Sequence, residues 1–236
     1  MSKKSLRIGE TAPNFNAETT NILVTLLCLA PLSLGSVLTP HRTENPVSTT
    51  ELTVYQSIID SFDERDVKLI VLAPNSIDAH KKWVQEIQGI TPKDFIIPFI
   101  TDSDKKIAYL YDITVSRVDQ EVVNTAKVPE SVRDIFIIDP NKKIRLIFSY
   151  PPTVGSSTEE ILRVIDALKT SDKLGVLTGA NWYPGANVLV DPAKKSIETA
   201  KSQFDGNVES VASFAIVPVS VEDSAAPDSA APPIAA

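Results

Sequence analysis

Sulfur and imidazole are scarce in this chain. Among its 236 residues Cys28 is the only cysteine, and His41 and His80 are the only histidines. A disulfide scaffold is therefore excluded, and a closed zinc site of the usual Cys/His kind is out of reach. No block of five or six basic residues occurs, and 23 Lys+Arg stand against 30 Asp+Glu, a formal charge of -7. Nucleic acid is disfavoured as a partner. The uncharged, mostly apolar run Ile22 to Leu38, with 17 residues, falls short of the roughly 20 that a membrane span needs. Pro31 and Gly35 interrupt it, and the long segment before it carries Glu10, Pro13 and Glu18, unlike the short basic start of a signal peptide. Buried core is the better reading, and no membrane role is expected.

What is present suits a globular fold. Apolar residues make up 43% of the chain, and a chain of this length buries roughly 70% of its unfolded surface without metal or disulfide. Residues 52–62 place Leu52, Val54, Tyr55, Ile58, Ile59 and Phe62 at helical spacing. Ser48 to Glu51 reads as a capping box, with serine as the helix cap and Glu51 reaching back to it. Val67 to Leu72 reads as a buried strand, and Ser76 caps a second helix whose core face includes Trp83. His80, beside Lys81 and Lys82, reads as a surface residue. Phe95 to Ile100 is a strand candidate, with Pro98 marking an edge or an end. Lys105 to Tyr111 is a short helix.

The runs 134–138 and 144–150 form a hairpin across Asp139-Pro140-Asn141. Ser157 with Glu160 opens a further helix. Beyond about residue 171 the pattern weakens: Asn181 to Gly185 is a turn with an aromatic anchor, Val188 to Val190 a short strand, and Asp191-Pro192 a helix start. An Ala/Pro/Ser tail, 222–236, is expected to be disordered. Strands alternating with helices and ending in a hairpin and helix predict an α/β fold, a three-layer sandwich with a mixed sheet.

Several motifs then occur in order. Leu6 to Phe15 contains Glu10-Thr11-Ala12-Pro13-Asn14-Phe15. Pro46-Val47-Ser48-Thr49-Thr50-Glu51-Leu52 follows, then Tyr150-Pro151-Pro152-Thr153-Val154-Gly155, Glu160 to Leu168, and Asn181-Trp182. Together they resemble the peroxiredoxins of the one-cysteine (AhpC/TSA-like) subgroup over about residues 5–204, with a mismatched stretch at 21–45. The resemblance implies a thioredoxin-like domain over 5–170, a small C-terminal dimerisation domain over 171–221, and a homodimer. It also implies reduction of hydrogen peroxide and organic hydroperoxides at the expense of an external thiol, with no cofactor and no metal. In that family a cysteine in the first turn of a helix is held as thiolate by the helix end and a nearby arginine, and is oxidised to a sulfenic acid.

The family positions fall on changed residues here. The peroxidatic cysteine corresponds to Ser48, the motif proline to His41, the motif threonine to Asn45 and the second arginine to Ser156. Arg133 and Glu51 are retained. A hydroxyl is far less acidic than a thiol of pKa about 8.5, and a helix end supplies only about 0.3–2 kcal/mol. His41 lies seven residues upstream, with nothing to show that it reaches the hydroxyl. Cys28, 20 residues before Ser48 in the apolar run, lacks the helix-start context and reads as a small core residue. Arg133 with Glu51 reads equally as a structural ion pair. No G-x-S-x-G pentapeptide is present.

The expectation is a peroxiredoxin impaired in peroxidase chemistry, persisting as a structural or interaction module. The alternatives are an active antioxidant peroxidase whose sequence is locally corrupted at about 21–48, and, with least support, a site in which Ser48 is itself a nucleophile. Peroxide and a thiol reductant are partners only if the site is active. The cytoplasm is the favoured compartment and the mitochondrion the alternative.

Overall fold

The computed structural model describes residues 6–20, 24–25, 34–38, 45–113, 133–211 and 214–224. They group into two compact units divided between Ser156 and Ser157, so the helix opened by Ser157 groups with the second unit.

In the first unit a five-stranded mixed sheet carries the elements. Its strands are β3 (Leu34–Leu38), β4 (Val67–Ala73), β5 (Phe99–Thr101), β6 (Arg133–Ile138) and β7 (Ile144–Tyr150), after a small pair β1 (Asn16–Ala17) and β2 (Val24–Thr25). The order is β5-β4-β3-β6-β7. β3 pairs parallel to β4, Leu34 opposite Val67, and antiparallel to β6, Leu38 opposite Ile135. Leu34–Leu38, the last five residues of the apolar run 22–38, thus form the central strand. Most of the rest of the stretch 21–45, with Cys28 and His41, lies outside the described residues.

The apolar run Val67–Ala73 is buried at every position except Lys68, as expected of a strand covered on both faces. Alternate residues serve opposite faces: Ile70 and Leu72 join Phe15, Ile107, Tyr111, Phe136 and Ile144 in one core cluster. Asp102 receives the N–H groups of Ile107 and Ala108 at 3.0 and 2.7 Å, closing the start of helix α4 (Lys106–Leu110).

Several expectations are corrected. The helix foreseen over 52–62 starts earlier and breaks: α1 is Pro46–Ser57, and Ile58, at φ −108° and ψ 21°, leads into α2 (Ile59–Asp63). Asn45 is its cap, with extended backbone and a side-chain oxygen that accepts from the Val47 N–H at 2.9 Å. Pro46 takes the first helical position, where a missing N–H costs nothing. Ser48 is therefore not the cap; it lies inside the first turn.

The strand foreseen over 95–100 shrinks to the edge strand β5, because Pro98 cannot donate and the amides of Phe95 and Ile96 are taken by the side chains of Gln88 and Gln56. His80 is not on the surface. It lies on helix α3 (Ile77–Gln88) with Trp83 and Ile87, at i, i+3 and i+7 on one buried stripe. Its ring lies 5.3 Å from that of Phe99.

In the second unit, helix α5 (Thr158–Leu174) is capped by Ser157, whose hydroxyl accepts from the Glu160 N–H, and it ends at Gly175 in the left-handed region. Glu160 turns away from the cap to hold Arg163 in a two-point ion pair at 2.5 and 2.7 Å. A four-stranded sheet follows, in the order β10-β11-β9-β8, built from β8 (Leu177–Thr178), β9 (Val188–Leu189), β10 (Glu209–Val211) and β11 (Phe214–Val217). Its core includes Trp182, Val188, Val190, Ala200, Ala215 and Val217. Helix α6 (Ile197–Gln203) is capped by Ser196, not opened at Asp191-Pro192, which form a turn instead. Residues 222–224 form a turn held by the Ser220 hydroxyl, which accepts from the Asp223 N–H at 3.0 Å. The remainder of the Ala/Pro/Ser tail lies outside the described residues.

Candidate active site

The first turns of α1 meet β6 and the end of β7. Ser48 and Glu51, three positions apart, lie one above the other on the same face of α1. Ser48 is fully buried, and its Oγ has no hydrogen-bond partner among the described residues. One turn on, both oxygens of Glu51 are engaged: Arg133 Nη1 donates to Oε2 at 2.5 Å, and the Ser156 N–H donates to Oε1 at 2.6 Å. Arg133 is the first residue of β6, buried to 3% exposure. Its Nη2 donates to the Pro151 carbonyl at 3.3 Å, while its buried Nε has no partner among the described residues. Glu51 therefore does not reach back to a capping serine; it neutralises a guanidinium held by a strand from the other end of the unit.

Two more side chains enter the site. The hydroxyls of Tyr55 and Ser156 share a hydrogen bond of 2.9 Å. Burial pushes the Tyr55 phenol well above its ordinary range, with Glu51 acting in the same direction and the Ser156 bond against it. On the other side of the turn, Trp83 Nε1 donates to Thr49 Oγ1 at 3.0 Å. The sequence marks Tyr55 and Trp83 only as apolar helix faces. The one available signal is that Tyr55 follows Glu51 by four positions; nothing in the sequence points to the Trp83–Thr49 bond.

Of the residues foreseen for the site, Ser48, Asn45, Glu51, Arg133 and Ser156 come together around the first turns of α1, while His41 lies outside the described residues. The hydroxyl of Ser48 has no base within hydrogen-bond reach among the described residues. A nucleophilic hydroxyl needs one. Among the described residues no group of three His, Cys, Asp or Glu side chains is arranged to hold a metal ion, and no helix is long and apolar enough to cross a membrane.

The AhpC/TSA family model matches residues 8–147, and the C-terminal domain of 1-Cys peroxiredoxin matches residues 167–206. The chain belongs to the one-cysteine branch of the peroxiredoxin family. It is 41% identical over 200 residues to the mitochondrial peroxiredoxin PRX1 of Saccharomyces cerevisiae, covering 84% of this chain and 76% of that one. It is 34% identical to peroxiredoxin-6 of Mus musculus over 207 residues, 86% of this chain and 90% of that one.

Among solved structures, the yeast mitochondrial 1-Cys peroxiredoxin superposes with a TM-score of 0.82 at 37% identity, covering 91% of this chain and all of that one (100%). A cysteine-to-serine mutant of the peroxiredoxin 6 of Arenicola marina superposes with a TM-score of 0.80 at 32% identity, covering 91% of this chain and 98% of that one. The thioredoxin-like peroxiredoxin fold expected from the sequence is thus the fold of the chain. This peroxiredoxin carries serine in the P-V-x-T-T-E segment, at the buried turn that Glu51 and Arg133 flank.

Proposed function

We propose that this chain is a peroxiredoxin without thiol peroxidase turnover, a non-catalytic structural or interaction module built on the one-cysteine scaffold. The observation that carries the reading is Ser48, buried in the first turn of α1 with an unpartnered Oγ, one turn from the Glu51–Arg133 pair. In this reading Ser48 stands where the peroxidatic thiol would be. Peroxide reduction requires the attacking atom to become a good anion and then to carry the transferred oxygen as a sulfenic acid. A buried hydroxyl without a base does neither.

The positions of the motif threonine and the second arginine, Asn45 and Ser156, are here used structurally, as a helix cap and as a hydroxyl paired with Tyr55. With serine at 156 in the position of the second arginine, one positive charge that would favour an anion at position 48 is missing. His41 is read as the changed motif proline.

The rest of the assignment follows the family. Residues 5–170 serve as the peroxiredoxin domain and 171–221 as a dimerisation domain in a homodimer. The mitochondrion is the better-supported compartment, because the yeast relative is mitochondrial by name; that relative's structure concerns thiol resolution through the glutathione/thioredoxin systems. The test is peroxide consumption by the purified chain with glutathione or thioredoxin, alongside a Ser48→Cys variant. Absence of turnover in the parent supports the reading, and parent turnover comparable with that of the relatives overturns it.

A second reading keeps antioxidant peroxidase activity for the native gene product, with the sequence corrupted at about 21–48. It is favoured by the intact Glu51–Arg133 pair beside a residue that differs from cysteine by one atom. A mass spectrum of the native peptide from Glu44 to Arg65 decides between serine and cysteine.

A further inference from the structure

We propose that Trp83 is the positioning residue of this site, acting on the turn of Ser48 through Thr49. Two hydrogen bonds run in series from α3 into the start of α1, and a third runs beside the second. Trp83 Nε1 donates to Thr49 Oγ1 at 3.0 Å, Thr49 Oγ1 donates to the Asn45 carbonyl at 3.3 Å, and the Thr49 N–H donates to the same carbonyl at 3.1 Å. That last bond is the first intrahelical bond of α1. Asn45 is thus fixed from both ends, its carbonyl by Thr49 and its side-chain oxygen by the Val47 N–H.

Within the turn, the Asn45 cap and the Thr50 hydroxyl, which donates to the Val47 carbonyl at 2.7 Å, hold the backbone, while the Ser48 hydroxyl bonds nothing among the described residues. Helix ends are where fraying begins. The external holds are at Glu51, by Arg133 and Ser156, and at Thr49, by Trp83. Among the described residues only the second reaches the residue next to Ser48.

Trp83 is suited to this task. It is 2% exposed, and its ring centroid lies 5.3 Å from that of Phe99 on β5. An indole N–H is a donor only, so its bond fixes the direction of the Thr49 hydroxyl and leaves that hydroxyl's proton for Asn45. Threonine at 49 accepts from one helix and donates within the other. Phenylalanine at 83 would keep most of the packing and lose the donor.

The inference rests on reading the turn of Ser48 as the site, but its test does not use peroxide. Hydrogen exchange is measured on the full chain for the amides of Thr49 to Leu52, with residues 133–150 as control. Trp83→Phe is expected to speed exchange at 49–52 about fivefold, the worth of one hydrogen bond, and Thr49→Val, which removes both bonds of the hydroxyl, by at least as much. The double variant is expected to be no faster than the quicker single one, and Thr49→Ser to retain the parent rate. In a Ser48→Cys background, Trp83→Phe is expected to raise the pKa of the introduced thiol, because a loosened turn no longer aligns its positive end. Exchange that stays at the parent rate in both Trp83→Phe and Thr49→Val overturns the proposal, as does Thr49→Ser exchanging as fast as Thr49→Val. Should Trp83→Phe loosen the control residues too, Thr49→Val decides, since it leaves the indole packed. Parent peroxide turnover would refute the functional reading alone, and unchanged exchange would refute this inference alone.

Discussion

Arg133 and Glu51, 82 residues apart in sequence, meet at 2.5 Å with side chains only 4% and 14% exposed. The pair ties the first residue of β6 to the second turn of α1, and the Ser156 N–H completes the carboxylate. A guanidinium buried this far is tolerated only while its charge is matched.

Removing that match is therefore costly. Glu51→Ala is expected to lower unfolding stability by about 3 kcal/mol, since it strands a buried guanidinium and an amide. The check is urea denaturation, with an unchanged slope and a lower midpoint. A loss below about 1 kcal/mol would place the pair among exposed, weakly contributing bridges.

Asn45 and Ser48 are expected to respond in opposite directions to alanine. Asn45→Ala removes the cap of α1 and is expected to cost about 1 kcal/mol. Ser48→Ala removes a buried hydroxyl that bonds nothing, and it is expected to be neutral or to stabilise by about 1 kcal/mol. Thermal unfolding of the two variants measures both. A loss of about 1 kcal/mol or more in Ser48→Ala would restore serine as the cap.

His80 gives a pH dependence. Burial lowers its pKa from the ordinary 6.5 to about 4, and its Nε2 has no partner while Nδ1 lies 3.4 Å from Thr101 Oγ1. The folded pKa is depressed, so the unfolded chain binds the proton first. The neutral ring therefore costs nothing above about pH 6.5, and stability falls as the pH drops from 6.5 towards 4, by on the order of 2–3 kcal/mol. His80→Gln is expected to lose this component. The difference between parent and variant stability, followed from pH 7.5 to 4.5, measures it; a difference that is flat with pH contradicts the assignment.

Much of the fold was legible because periodicity reports burial directly. Val67–Ala73 and the 133–150 hairpin are strands for the reason their apolar residues suggest. The start of α1 was harder. Ser-x-x-Glu is equally a capping box and a buried turn with a paired acid, and only the arrival of Arg133 from 82 residues away separates the two. His80 misled in a similar way: its neighbours Lys81 and Lys82 point to a surface, yet a histidine three residues before Trp83 shares the buried stripe of α3. The site residues Ser48, Glu51, Arg133, Asn45 and Ser156 were found through the resemblance. The Trp83–Thr49 and Tyr55–Ser156 bonds join α1 to distant segments, and no local pattern encodes them.

A hydroxyl at position 48 in place of a thiol is expected to end peroxidase chemistry on this scaffold. Thiol-dependent consumption of hydrogen peroxide by the purified chain, followed under conditions in which the yeast relative turns over, measures it most directly. The parent is expected to consume peroxide no faster than the uncatalysed background. Steady parent turnover, abolished by Ser48→Ala, would contradict it.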